Sequence, residues 1–148
     1  MKLARYCAAM SQENVDRFLK AAESFNRLAG AESDEHVVEE YLRFWHPDVR
    51  FHPQQAALEG GYVGHAGLRA WLADLAQHYE YGRAQYTDVR GLGDRVLALG
   101  TLQVTGRGSG IKIEVPLAIV AEFREGLMAD VRDFGDWEQA LRAAGLAE

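Results

Sequence analysis

Hydrophobic positions along the chain follow a helical rhythm first and a two-residue alternation later. Val15, Phe18, Leu19, Ala22 and Phe25 recur at helical spacing behind Ser11, which suits an N-cap, and Gly30 closes the segment. Ser33 or Asp34 caps a second helix with a stripe of Val37, Val38, Tyr41, Leu42 and Trp45, which Pro47 stops. Val49 to His52 reads as a short strand. The loop PQQAALEGG leads to a second extended piece around Tyr62. A third helix opens near Gly64, with Leu68, Trp71, Leu72, Leu75 and Tyr79 on one face. Then the texture changes. YGRAQYTDVRGLG, RVLALGTLQVTGRG, IKIEVPLAIVAEFREG and LMADVRDFG read as four strands joined by glycine-containing turns. Ile111, Ile113, Val115, Leu117 and Ile119 show the alternation most clearly. Asp136 and Gln139 form a capping-box-like pair before a closing helix, and that cap alone accounts for Asp136.

Helices segregated ahead of a run of antiparallel strands predict an α+β fold. A long curved antiparallel sheet packed on three helices of the N-terminal half would leave a cone-shaped pocket, the usual form of a ligand site. The 148 residues suit one domain, placed at residues 11–148, with residues 1–10 expected as a disordered extension. Cys7 is the only cysteine, so no internal disulfide forms and a reducing cytoplasm fits. The net charge is −6 and basic residues never cluster beyond a pair, which argues against a nucleic-acid partner. The apolar runs are too short to span a bilayer. No CxxC or Cys/His zinc spacing occurs, and GRGSG lacks the strand–helix setting of a phosphate loop and reads as a hairpin turn; no metal site and no cofactor is expected.

His52 shares a strand face with Arg50 and precedes Pro53. It is either a base at the mouth of the pocket or a strand-end side chain bonded to a carbonyl. Asp133 shares a face with Val131 and Ala129, where a carboxylate is costly unless paired. It is either a pocket acid or half of an ion pair with Arg50, Arg95 or another cation. Arg50 would hold an anionic group or pair with Asp133. Tyr62 and Trp71 suit core or pocket wall, and Thr101 and Gln103 could offer neutral hydrogen bonds inside a cavity.

HPDVRFHP, GGYVGHAGLRAWL, GLGDRVLALGTLQVTGRGSG and VRDFGDWEQALRAAGL, in this order of elements, resemble the nuclear transport factor 2-like superfamily of α+β cones, and within it the SnoaL-like group that includes polyketide cyclases. The resemblance runs from Ser11 to the C-terminus. It implies a catalytic proton carrier at Asp133, in a pattern like that of the cyclases, and a second at His52, where ketosteroid isomerases carry an Asp before a Pro. The isomerases' two oxyanion donors fall at Phe18 and near Ala118, and neither side chain can donate. The Asp–Arg–Asp relay of limonene-type epoxide hydrolases is matched only at Asp133, since Thr101 and Gln103 stand where its other half would be.

Three functions remain open from the sequence. One is a cofactor-free acid/base isomerase or cyclase acting on a small, mainly apolar carbonyl compound, with His52 and Asp133 exchanging protons and Arg50, Tyr62, Trp71, Thr101, Gln103 and Phe18 lining the site. The second is a protein that binds such a molecule without converting it. The third is a dimerisation domain, since a homodimer through the open sheet face is expected.

Overall fold

The computed structural model describes residues 2–28, 34–53 and 61–146, with backbone alone for 2–10 and Tyr81. Helix α1 (Lys2–Leu28) turns Asn14, Phe18, Ala21 and Phe25 inward at helical spacing. It begins nine residues before Ser11. No Gly or Pro interrupts Lys2 to Met10, so the helix runs through the stretch that the sequence suggests as a disordered extension. Ser11 therefore serves a turn rather than a cap, and its hydroxyl accepts from the Gly93 N–H at 2.8 Å.

Helix α2 (Glu35–Leu42) is capped by Asp34, whose carboxylate accepts from the His36 N–H at 3.0 Å. It stops before Trp45, although the apolar stripe continues. Strand pairing takes over there: the Met128 N–H donates to the Phe44 carbonyl at 3.0 Å, and β1 (Trp45–His52) begins with Trp45 still buried. The loop 54–60 lies outside the described residues. Strand β2 (Tyr62–Val63) and helix α3 (Gly64–His78) follow, then the long strands β3 (Tyr79–Leu92), β4 (Arg95–Gly106), β5 (Lys112–Arg124) and β6 (Leu127–Asp133), and helix α4 (Trp137–Ala143). GRGSG is the β4–β5 turn, closed by the Gly106 N–H to the Ile111 carbonyl at 2.8 Å.

The sheet runs β2-β1-β6-β5-β4-β3. It is mixed rather than wholly antiparallel, because β1 and β6 pair in parallel. The reason is topological: β1 must lie beside the last strand to close the wide end of the curl, and both run the same way. The result is a half-barrel with α1, α2 and α3 against its inner face. Alternation then assigns every strand residue to a face. Val96, Ala98, Ile119, Ala121, Val131, Val49 and Phe51 belong to the inner core. Leu97, Leu99, Ala118 and Val120 face outward, where α4 returns to cover them with Ala140 and Ala144. Asp136 caps α4 by accepting from the Glu138 N–H at 2.8 Å. The β4–β5 hairpin overhangs beyond α4, so Ile111 and Ile113 are exposed despite their alternation.

Candidate functional site in the cone

Aromatic rings fill much of the inner space. Phe25 stacks on Trp71 at 6.0 Å between centroids, Trp71 meets Phe51 edge-on at 4.6 Å, and Phe51 meets Trp45 at 5.3 Å. Tyr41 bridges Phe25 and Trp45, each at 5.8 Å, and Phe18 meets Tyr86 at 5.0 Å. Such pairs add about 0.5–1.5 kcal/mol each beyond the apolar area they bury. Phe18 and Trp71 thus belong to the packed inner core.

Polar atoms interrupt this apolar lining at a few places. Asp133 ends β6 on the inner face, next to Ile119 in register and two residues beyond Val131. Its Oδ1 accepts from the Gly135 N–H at 2.9 Å and from the Ala118 N–H at 3.4 Å. Both bonds converge on one oxygen, and Oδ2 has no partner among the described residues. Burial raises the carboxyl's affinity for a proton, and the two N–H groups offset this only in part. No cation pairs with Asp133 among the described residues. Arg95 reaches the Ala143 carbonyl instead, and Arg50 lies on the other side of the sheet.

Tyr86 on β3 faces the same interior, across from Gly100. Its phenol is pushed up first by burial and then by the nearby Asp133 charge, yet no hydrogen bond joins the two. Tyr41 on α2 is pushed up by burial and then by Tyr86. Among the described residues, two buried side-chain atoms, Ser24 Oγ and Trp45 Nε1, have no hydrogen-bond partner. The Trp45 indole favours charge on the Tyr41 oxygen, so the two are near, though they fall outside hydrogen-bond geometry.

The sequence-derived candidates divide between the two faces. Asp133, Phe18 and Trp71 gather inside. Tyr62 pairs with Phe51 at the rim, packs against the core, and donates its hydroxyl to Asp74 at 3.0 Å. Arg50 and His52 alternate with Val49 and Phe51 and pair with Asp130 and Arg132, which puts them on the outer face. Thr101 and Gln103 alternate with Gly100 and Leu102 and share the face of Leu97 and Leu99, again outward. The structure does not bring His52 and Asp133 together. Tyr41, Tyr86, Trp45 and Ser24 were not marked by the sequence, because aromatic residues at regular spacing signal packing and a serine in a helix signals nothing. Among the described residues, no group of three or more His, Cys, Asp and Glu could hold a metal, and no helix is long and apolar enough to cross a membrane.

The profile of the SnoaL-like domain matches residues 25–131, and the chain belongs to that family. A nuclear transport factor 2-like protein of unknown function from Burkholderia pseudomallei superposes with a TM-score of 0.70 at 22% identity, covering 88% of this chain and 95% of that one. The protein TerC, co-crystallised with polyporic acid, gives 0.69 at 22% identity over 90% and 98%. A protein from Jannaschia described as a SnoaL-like polyketide cyclase gives 0.69 at 20% identity over 94% and 95%. These likenesses establish the shared fold. No curated protein matches the chain.

Proposed function

We propose that this member of the SnoaL-like family holds a small, mainly apolar carbonyl compound in its cone and moves a proton on it without a cofactor, as an isomerase or cyclase would. Asp133 is the proton carrier. As carboxylate it takes a proton from the carbon beside the carbonyl, and as acid it returns one. The observation that carries this reading is the asymmetry of Asp133: Oδ1 accepts two backbone N–H bonds while Oδ2 is free of partners among the described residues. The proton therefore belongs on Oδ2, and burial brings the carboxyl nearer to neutrality, where a proton carrier works best. Phe18, Trp71 and Tyr86 supply the wall, and Tyr62 the rim.

The simplest test is exchange of the methyl protons of acetophenone in D2O, followed by proton NMR. Exchange should be faster with the protein than without it, and D133N should return the rate to background. A rate unchanged by the wild-type protein ends the catalytic reading. Polyporic acid, found with TerC, is a second compound for binding trials.

A homodimer through the outer sheet face, in the cytoplasm, accompanies this reading. Arg95, Arg132, Glu122 and Asp130 surround a cleft of about 210 Å³ floored by Val120 and Phe134. A two-fold axis there would set each arginine against a carboxylate of the other copy. Light scattering should give twice 16.5 kDa, and a monomer at micromolar concentration would remove this part.

A further inference from the structure

Strand β6 ends at Asp133, yet its ladder with β5 goes one step further. The Phe134 N–H donates to the Ala118 carbonyl at 2.8 Å. The Ala118 N–H donates not to backbone but to the Asp133 side chain, whose Oδ1 accepts it at 3.4 Å. Oδ1 therefore stands in for a strand carbonyl. The Gly135 N–H, two residues on, donates to the same oxygen at 2.9 Å.

The two bonds are unequal. The Gly135 bond has the usual length for an N–H donor, and the Ala118 bond exceeds it. Gly135 thus supplies the main hold on the carboxyl. Its φ is +67°, so the chain turns into α4 while this N–H stays on Oδ1. A β-carbon disfavours that backbone region, and Asn is among the side chains that tolerate it best. The turn is anchored beyond Gly135 as well. Asp136 accepts from the Glu138 N–H as the α4 cap, and the Trp137 indole donates to the Gly100 carbonyl of β4 at 3.2 Å. Among the described residues, Tyr86 on β3 is the titratable group whose hydroxyl feels the Asp133 charge. Arg132 lines the outer cleft instead.

We infer that Gly135 is a positioning residue for the proposed proton transfer: its N–H pins Oδ1 of Asp133 and leaves Oδ2 as the oxygen that meets the ligand. This rests on the proton-transfer reading and adds what orients its carboxyl. With the left-handed turn lost, the carboxyl is free to rotate, and either oxygen can face the cone. The carboxylate also loses the stronger of the two donors that favour its charged form.

The test begins with the wild-type protein, by NMR over a range of pH. The Asp133 carboxyl carbon reports its own ionisation. A hydrogen bond to a carboxyl tightens as the acid ionises, and the donor proton shifts downfield. The Gly135 amide proton should follow the Asp133 titration with the larger excursion, and the Ala118 amide with the smaller. Gly135→Ala should raise the Asp133 midpoint and slow acetophenone exchange by about tenfold or more, as a misplaced catalytic group does. Gly135→Asn, which tolerates the turn, should restore most of both. A Gly135 amide indifferent to the Asp133 titration overturns the positioning role without any variant. A Gly135→Ala protein with unmoved midpoint and exchange rate overturns it too. No exchange by wild-type protein, with the amides titrating as described, overturns the proton-transfer reading instead.

Discussion

Asn26 on α1 makes both of the hydrogen bonds that a neighbouring strand would offer Ala84. Its Nδ2 donates to the Ala84 carbonyl at 2.8 Å, and its Oδ1 accepts from the Ala84 N–H at 2.8 Å. β3 is the last strand of the sheet, so these groups would otherwise lie unpaired on an open edge. The carboxamide thus ties the first helix to the far edge of the half-barrel, beside the Tyr86 wall.

Replacing Asn26 with Ala should lower stability by about 1–3 kcal/mol, the usual effect of stranding partly buried backbone groups. Urea unfolding measures this directly. The freed edge should also make the protein more prone to associate on heating. An unchanged urea midpoint would show that water answers Ala84 equally well.

Asp133 makes stability depend on pH in a definite direction. Burial raises its proton affinity above the ordinary carboxyl value. Below that ordinary value the group is protonated whether folded or unfolded, and its contribution is complete. As pH rises from there through the higher folded value, the unfolded chain loses its proton more readily, and stability falls. Asp133→Asn keeps an oxygen for the Gly135 and Ala118 N–H groups and carries no charge. It should match the wild type near pH ~3 and exceed it near pH ~7 in denaturant titrations. A variant less stable at neutral pH would mean the carboxylate is favoured by the fold.

His52 should be separable from the chemistry. It points away from Phe51 and backs the β2 turn: a Cβ at Gly61 would stand 2.8 Å from its Nδ1 and 2.6 Å from the Phe51 carbonyl. His52→Ala should leave acetophenone exchange within about twofold of wild type, since a group on the opposite sheet face makes no contact in the transition state. A loss as large as that of D133N would place His52 in the site after all.

Gly100 should tolerate no side chain. A Cβ there would collide with the Gln85 carbonyl oxygen and come within 2.7 Å of the Tyr86 Cα. Both obstacles are backbone, so neither can swing aside. Gly100→Ala should cost roughly 1–3 kcal/mol or more in thermal or urea unfolding. It should also weaken ligand binding, because the strand that must move carries Tyr86. An unaffected melting temperature would contradict the close approach of β3 and β4.

Local pattern was enough to find the helices that rest on side-chain spacing, the caps at Asp34 and Asp136, and the glycine turn of the β4–β5 hairpin. Each depends on residues within a few positions of one another. Asp133 was legible for a similar reason, since a carboxylate among apolar neighbours on one strand face calls for an explanation wherever the strand goes. Alternation also showed that Arg50 goes with His52.

Which face each pair occupies was decided only in three dimensions. Two-residue periodicity defines two faces and is blind to what covers them. Here three helices cover one face and α4 returns over part of the other, so both faces of β4 are apolar along Val96 to Leu99. The parallel pairing of β1 with β6 fixed the rest, by aligning His52 with Arg132 and sending both away from the cone. The ring cluster that joins Phe25 to Tyr41 and Trp71, and Phe18 to Tyr86, spans almost the whole fold. No short window of sequence contains it, because it exists only once the curled sheet has closed around the helices.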